Sequence, residues 1–447
     1  MSSLSPTNPS TTALSVRPGR PLTGAIRVDG SKNAALPLIA AAAVTSRTVH
    51  VERIPRSTDV QVMLALLREM GHVVTKPVSS SDDLQPLEAD KVDVTAPSHP
   101  NHVPDLRAAA TIRASYYLVP VLLQASGRAS MPWPGGCSIG DRGMDQHFKV
   151  YEQFGDKVRV REDGYEIRRA SGPVGRVTVD LPFRSRGASV AAVLRAAVAD
   201  CPLTLRNPNT SPEFSTVLAA LGTAGWEVSP GTELIHLTPP ATRPGAPLTW
   251  EIPGDKIEAA TLACAVAATG GRGLIEGIVG ADVGPVVAAL RGLGILVESQ
   301  AEAMYVQADP RTFTGRPLRA VASLDPAGLD ADFEPPLMAL ALGMPGAHLF
   351  SDAINPGRHG NLLAQLGRLG ATIEPLTPTE CRLTGPQRLT GATVDATDIR
   401  TGSALLIAAL TAHGTTVLRG LNQLRRGHAD LPAKLRSLGA DITEVSR

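Results

Sequence analysis

One pattern recurs six times along the chain, and it restricts the fold more than any other feature of the sequence. From Gly24 onward, a polar or charged residue opens an Ala-rich helical stretch, and a short β-branched strand follows. A second helical stretch then ends in glycine and leads into another strand. The first copy reads Ser31-Lys32-Asn33 into 34–43, then a strand at 48–51, a helix from Asp59 to Met70-Gly71, and a strand at 72–74. The later copies start at Ile112-Arg113-Ala114-Ser115, Ser185-Arg186-Gly187, Asp255-Lys256-Ile257-Glu258, Asp332 and Asp398-Ile399-Arg400. Their second helices close at Phe154-Gly155, Gly225, Leu293-Gly294, Leu369-Gly370 and Leu438-Gly439. Glycine at such a point suits a left-handed C-cap, a conformation that costs other residues roughly 1–2 kcal/mol. Self-similarity at a spacing of roughly 70 to 85 residues predicts six α/β units, arranged as two domains of three.

The repeat has a chemical consequence. The first helices open with Lys32, Arg113, Arg186, Lys256, Asp332 and Arg400. If the copies are related by pseudo-symmetry, these positions converge on one cleft. Helix starts carry free N–H groups and the positive end of the helix dipole, so the cleft favours anions, and the five cations add to this. Asp332 is the acidic exception and therefore a candidate for chemistry. A solvated N-cap aspartate is its bland alternative.

Composition narrows the function classes. The formal net charge of +1 over 447 residues implies no broad basic surface for nucleic acid. Cys137, Cys201, Cys264 and Cys381 are far apart and form no CxxC pair, which argues against a zinc site and for a reduced, cytoplasmic protein. No metal and no cofactor are expected. The longest apolar runs, such as 34–44, are too short to span a bilayer, so no membrane partner is expected either. Residues 1–12 are rich in Ser, Thr and Pro and read as a disordered tail.

A glycine-rich loop, Pro134-Gly135-Gly136-Cys137-Ser138-Ile139-Gly140-Asp141-Arg142, interrupts the second copy. Its glycines allow a tight turn and close approach to a ligand, and Arg142 would favour a thiolate at Cys137.

These motifs together resemble the enolpyruvyl transferases. The resemblance rests on Gly30-Ser31-Lys32-Asn33-Ala34-Ala35, Ile112-Arg113-Ala114-Ser115, the cysteine loop with Asp145 and His147 after it, Asp398-Ile399-Arg400, and Arg426-Gly427. It covers the chain from about Gly24 to the C-terminus. It implies an inside-out α/β barrel of two globular domains, each built from three βαβαββ units, with the active site in the cleft between them. The domains expected are 1–31 plus 253–447, and 32–252 carrying the cysteine loop 134–142. The implied reaction is attack of an acceptor hydroxyl on C2 of phosphoenolpyruvate, protonation of C3, and loss of phosphate to leave an enol ether.

By motif, the resemblance implies that Lys32, Arg142, Arg400 and Arg426 bind phosphoenolpyruvate. Lys32 and Arg426 are also counted with the catalytic residues. Cys137 resembles the family's acid for C3 and its fosfomycin target. Asp332 resembles the carboxylate beside the acceptor hydroxyl, with Asp330 as the rival for that role. Asn33 and Arg113 would line the acceptor site, with Asp145 and Gln146 at its uridine end and Ser185, Arg186 and Gly187 at its phosphate.

The chain departs from the cell-wall branch of the family, which acts on UDP-N-acetylglucosamine, chiefly along the acceptor wall. Asp141 and Gly143 flank the loop arginine, Gln146 precedes His147, and two arginines stand in Phe183-Arg184-Ser185-Arg186-Gly187. The stretches Leu329–Pro336 and Asn355-Pro356-Gly357-Arg358-His359 also differ. Such departures imply a changed acceptor. The expectation is transfer to the 3′-hydroxyl of UMP, as in nikkomycin- and polyoxin-type nucleoside antibiotic pathways, where extra cations would suit a terminal monophosphate. UDP-N-acetylglucosamine in peptidoglycan synthesis is the alternative. A non-catalytic nucleotide-binding homologue is the third reading, and retention of Lys32, Cys137, Arg142, Arg400 and Arg426 speaks against it.

Overall fold

Three largely apolar helices, buried along most of their length, lie at the centre of each of two hydrophobic cores. These elements are seen in a computed structural model that describes residues 12–45, 47–75, 91–97, 104–136, 143–242 and 245–445. The cysteine loop residues Cys137 and Arg142, and residues 1–11 of the expected tail, lie outside the described residues. In the first core the helices Lys32–Val44, Leu118–Ser126 and Arg186–Ala199 pack on one another. In the second, Lys256–Ala268, Glu334–Ala341 and Ile399–Thr411 do the same. A helix that is apolar all round belongs inside a protein, and these have almost no polar face to offer solvent.

Among the described residues, six sheets enclose the helices, five of four strands and one of three. Four of them combine a parallel pair with an antiparallel hairpin, and in a fifth the antiparallel pair is Ala13–Arg17 with Asp441–Val445, far apart in the chain. In one of the four, Val177–Asp180 runs parallel to Leu203–Arg206, with Leu203 opposite Val177, and the hairpin Glu227–Ser229 and Leu234–Thr238 completes the sheet. Val177 and Val179 face inward while Thr178 and Asp180 face solvent, the period-two alternation of a half-buried strand. Each second helix ends at the glycine expected: Gly71, Gly155, Gly225, Gly294, Gly370 and Gly439 have φ of 88°, 80°, 101°, 91°, 87° and 104°. Among the described residues no helix is long and apolar enough to cross a membrane.

Two of the six expected helix starts need correction. Arg113 and Asp332 do not open α-helices; they lie in the 3-10 turns Arg113–Tyr117 and Ala331–Phe333, and the α-helices begin directly after them. Pro120 and the pair Pro335-Pro336 fall in the first turns of those helices, where a missing N–H is tolerated. That pins the start of the regular helix downstream of the charged residue.

The N-terminal strands join the second core. Ala13–Arg17 lies between Thr416–Arg419 and Asp441–Val445, and Thr23–Arg27 pairs in parallel with Arg272–Glu276. Leu248–Glu251 returns to the first core beside Val49–Glu52. The chain therefore passes between cores twice, near residues 30 and 254, and the two passages are bonded together. The Ser31 N–H donates to Pro253 O at 2.8 Å and the Asp255 N–H to Asp29 O at 2.8 Å, and Gly30 bridges Gly254. We propose that each core is one domain, with boundaries at 31/32 and 252/253. Arg53 secures the crossing by donating to Val28 O at 2.9 Å and Gly277 O at 2.5 Å.

The crossing has no room for a side chain at residue 30, because a Cβ there would collide with the Arg53 carbonyl oxygen. Gly30→Ala is expected to lower stability by about 1–3 kcal/mol, the usual cost of overpacking, read as a fall in the thermal midpoint. An unchanged midpoint would show that the crossing yields freely.

Candidate active site

A cavity of about 630 Å³ opens between the two cores. All six repeat starts line it: Lys32, Arg113 and Arg186 from the first core, and Lys256, Asp332 and Arg400 from the second. Asn33, Ser185, Gly187 and Arg426 line it as well. Gly136 and Gly143, which bracket the cysteine loop, both reach its wall. Among the described residues, no group of three or more His, Cys, Asp or Glu side chains is placed to hold a metal ion.

The helix caps make the two walls of the cavity unlike. In the first core the caps are neutral: Ser31 Oγ accepts the Ala34 N–H at 3.3 Å and Ser185 Oγ accepts the Ala188 N–H at 3.3 Å. In the second core they are carboxylates. Asp255 Oδ1 accepts the Ile257 and Glu258 N–H groups at 2.8 and 3.0 Å, and Asp398 Oδ1 accepts those of Arg400 and Thr401 at 2.9 and 3.1 Å. A carboxylate cap offsets the positive end of its helix, whereas a serine cap leaves much of that potential for an incoming anion.

Four carboxylates offset the cations of the cavity. Asp59 sits between Lys32 at 3.8 Å and Arg426 Nε at 2.9 Å. Asp332 takes Arg358 Nη2 on Oδ1 at 2.8 Å and Arg400 Nη2 on Oδ2 at 3.1 Å. Lys256 Nζ lies 2.9 Å from Asp330 and 3.3 Å from Glu213, and Arg186 lies 3.8 Å from Glu213. Burial works against ionisation of Asp332, but the charges of Arg400 and Arg358 outweigh it and hold the carboxyl well below the usual range. Burial likewise opposes ionisation of Asp330, and Lys256 with Arg186 overcomes it, so its pKa is also lowered. Both are carboxylates at neutral pH.

Several side chains in this lattice carried no sequence signal strong enough to single them out for the site. Arg358 is only 1% exposed and also donates to Ala331 O at 2.6 Å and pairs with Asp352 at 3.1 Å. Asp59, at the start of a second helix, reads in the sequence as a dipole-friendly first-turn acid. His428 Nε2 accepts from Arg400 Nη1 at 3.0 Å; burial, then the charge of Arg400, keeps this imidazole neutral.

His147 lines the cavity and packs against the Tyr116 ring at 4.5 Å between centroids. Both its ring nitrogens are buried and without hydrogen-bond partners. A Cβ at Gly187 would collide with His147 Nε2 and the Tyr116 hydroxyl, so glycine there lets the imidazole close on the helix start.

Other expected side chains are absent from the lining. Asp145 is exposed, and neither it nor Gln146 reaches the cavity wall. They lie on the helix Asp145–Gln153, where each residue turns about 100°, so once His147 faces the cavity its two predecessors are rotated away. Arg184 borders the cavity, but its guanidinium is spent on Pro208 O at 3.1 Å, Thr232 O and Glu233. Of the two arginines in that turn, Arg186 is the one placed for a ligand.

Burial, then the charge of Arg113, pushes the His147 pKa from 6.5 down to about 3. The unfolded chain takes up this proton near pH 6.5 and the folded chain refuses it until about pH 3. Stability is therefore undiminished above pH 6.5 and falls as the pH drops from 6.5 toward 3. Chemical denaturation across this range should show the fall, and His147→Gln should show a shallower one. Identical slopes would mean that the site admits the proton.

Comparison with known proteins agrees with this geometry. Residues 16–435 match the family described as EPSP synthase (3-phosphoshikimate 1-carboxyvinyltransferase). A UDP-N-acetylglucosamine 1-carboxyvinyltransferase of Symbiobacterium thermophilum is 34% identical over 432 residues, covering 96% of this chain and 97% of the relative. One from Halothermothrix orenii is 31% identical over 435 residues, covering 96% and 99%. The crystal structure of the enolpyruvyl transferase NikO from Streptomyces tendae superposes with a TM-score of 0.85 at 24% identity, covering 98% of this chain and all of that one. EPSP synthase from Acinetobacter baumannii gives a TM-score of 0.74 at 18% identity, covering 97% and 100%. The fold is thus the two-domain inside-out α/β barrel, and the chain belongs to the EPSP synthase family as an enolpyruvyl (1-carboxyvinyl) transferase.

Proposed function

We propose that this cleft transfers the enolpyruvyl group of phosphoenolpyruvate to a hydroxyl of a uridine nucleotide, the 3′-hydroxyl of UMP. The observation that carries this reading is the convergence of the six repeat starts, cations from both cores included, on one cavity. Phosphoenolpyruvate carries a phosphate and a carboxylate. Lys32 and Arg426, shared by Asp59, are assigned to its phosphate, and Arg400 with Arg358, shared by Asp332, to its carboxylate.

Binding then has an electrostatic consequence at Asp332. A substrate anion that draws Arg400 and Arg358 onto itself removes what holds the Asp332 carboxyl low, so its affinity for a proton rises when a base is needed. In the proposed reaction Asp332 takes the proton of the acceptor hydroxyl as its oxygen bonds to C2. A proton added at C3, supplied by Cys137, completes the tetrahedral intermediate. Loss of a C3 proton and of phosphate from C2 then leaves the enol ether. Arg142 is assigned to phosphoenolpyruvate on the sequence alone. Asn33 and Arg113 are assigned to the acceptor, and free, buried Cys201, Cys264 and Cys381 suit a reduced, cytoplasmic setting.

The acceptor's phosphate is assigned to Ser185-Arg186-Gly187, where a neutral cap, a helix start and the Arg186 guanidinium meet. UDP-N-acetylglucosamine is the second reading, favoured by the relatives at 31–34% identity, which are UDP-N-acetylglucosamine 1-carboxyvinyltransferases. Phosphate release from phosphoenolpyruvate, measured side by side with each acceptor, separates them. UMP should turn over, and turnover of UDP-N-acetylglucosamine alone would overturn the assignment. Arg186→Ala should raise KM for UMP by roughly 10- to 150-fold, the worth of one charged contact of about 1.5–3 kcal/mol, with a smaller effect on uridine. Equal effects on both acceptors would place the phosphate elsewhere.

Fosfomycin should alkylate Cys137 and spare the three buried cysteines, as read by mass spectrometry. An unmodified Cys137 would remove the thiol from the proposed chemistry.

A further inference from the structure

Behind the cavity wall, two helix starts are joined by a second pair of side chains. Glu334 is the first residue of the helix Glu334–Ala341 and directly follows the turn Ala331–Phe333 that carries Asp332. His359 directly follows Arg358 at the start of the helix Arg358–Arg368. His359 Nε2 lies 2.7 Å from Glu334 Oε1, and the two residues are 4% and 0% exposed. The same two chain segments are thus linked at the cavity by Arg358, which pairs with Asp332 and donates to Ala331 O, and in the core by Glu334 with His359. The loop before Arg358 is fixed independently, since Asp352 Oδ1 accepts the Ile354 and Asn355 N–H groups at 3.1 and 2.9 Å.

We propose that Glu334 and His359 are a positioning pair that holds Asp332 and Arg358 in register for proton transfer. This inference rests on the reading of Asp332 as the group that takes the acceptor proton. Stability gives a poor account of the pair. Replacing a buried ionisable pair by apolar groups of similar volume is often neutral or stabilising. The arrangement also leaves Glu334 Oε2 and His359 Nδ1 buried without hydrogen-bond partners. A reacting carboxylate, by contrast, needs its geometry held to about half an ångström, and a hydrogen bond across the two segments supplies this better than apolar contact.

The charged and titratable groups facing the pair are Arg358, Asp352 and Cys381. Those facing Asp332 are Arg400, Arg358, Lys32, Arg186 and His428, with Asp330 two residues away. Loosening Arg358 would leave Asp332 with Arg400 as its closest guanidinium and raise its proton affinity, which moves the acid limb of the kcat profile to higher pH.

The test compares the wild type with Glu334→Gln, the double variant Glu334→Leu/His359→Phe, and Asp332→Asn. Phosphate release is followed against pH with phosphoenolpyruvate and whichever of UMP or UDP-N-acetylglucosamine is turned over. Glu334→Gln should lower kcat by roughly 10- to 100-fold, the cost of small misplacement, with a smaller rise in KM for phosphoenolpyruvate, because Arg358 is assigned to its carboxylate. The double variant should melt at or above the wild-type temperature, show the same loss in kcat, and have its acid limb moved upward. A folded double variant with wild-type kcat and pH profile overturns the proposal, and so does a double variant that fails to fold, since the pair would then be a stability element. Asp332→Asn reports on the underlying reading alone. If it keeps wild-type turnover, that reading fails. If it is inactive while the double variant is normal, only the positioning role fails.

Discussion

Charge balance inside the cleft is the constraint on which the rest depends. The positions Lys32, Arg113, Arg186, Lys256, Arg358, Arg400 and Arg426 bring cations to one cavity, and like charges at such range repel strongly in a partly desolvated space. Asp59, Asp332, Asp330 and Glu213 make the arrangement tolerable. Two of these contacts run from one core to the other, Arg426 to Asp59 at 2.9 Å and Lys256 to Glu213 at 3.3 Å. The Thr58 hydroxyl donating to Arg425 O at 3.4 Å adds a third contact beside them. The ions that make the site attractive to an anionic substrate therefore also hold the two cores against each other.

This links binding to chemistry. An incoming phosphate or carboxylate does not meet bare cations; it competes with internal carboxylates for them. The net gain is smaller than the number of cations suggests, because desolvation and lost internal pairs are subtracted from it. In return, the carboxylates are released at the moment the anion binds. In the proposed reaction that release would strengthen Asp332 as a base and would free Lys32 and Arg426 from Asp59 to follow the substrate.

The sequence carried the architecture well because the fold is built from local signals. An all-apolar Ala-rich helix reads as buried, and the glycines from Gly71 to Gly439 mark left-handed caps that any single copy would require. The repeat starts were legible because a cap and a charged residue fall side by side in the chain. Long-range partners were not legible. Arg358 reads locally as a solvated helix start, and only its contacts to Asp332, Asp352 and Ala331, well away in sequence, reveal it. Arg184 and Arg186 look equivalent in sequence, yet Glu233, distant in the chain, claims the first. Asp145 and Gln146 belong to the right motif but fall on the wrong side of their helix. Cys137 and Arg142 keep the roles their motif implies, as proposals that rest on the sequence.

The most direct test of the account is the fate of the enolpyruvyl carbon. Incubation of the full-length protein with phosphoenolpyruvate labelled with carbon-13 at C2, together with UMP, can be followed by carbon and phosphorus NMR. The account predicts one enol-ether product in which the labelled carbon is bonded through oxygen to the ribose 3′ position, formed with one equivalent of free phosphate. Label transferred only when UDP-N-acetylglucosamine is supplied would contradict the acceptor, and no phosphate released with either nucleotide would contradict the site.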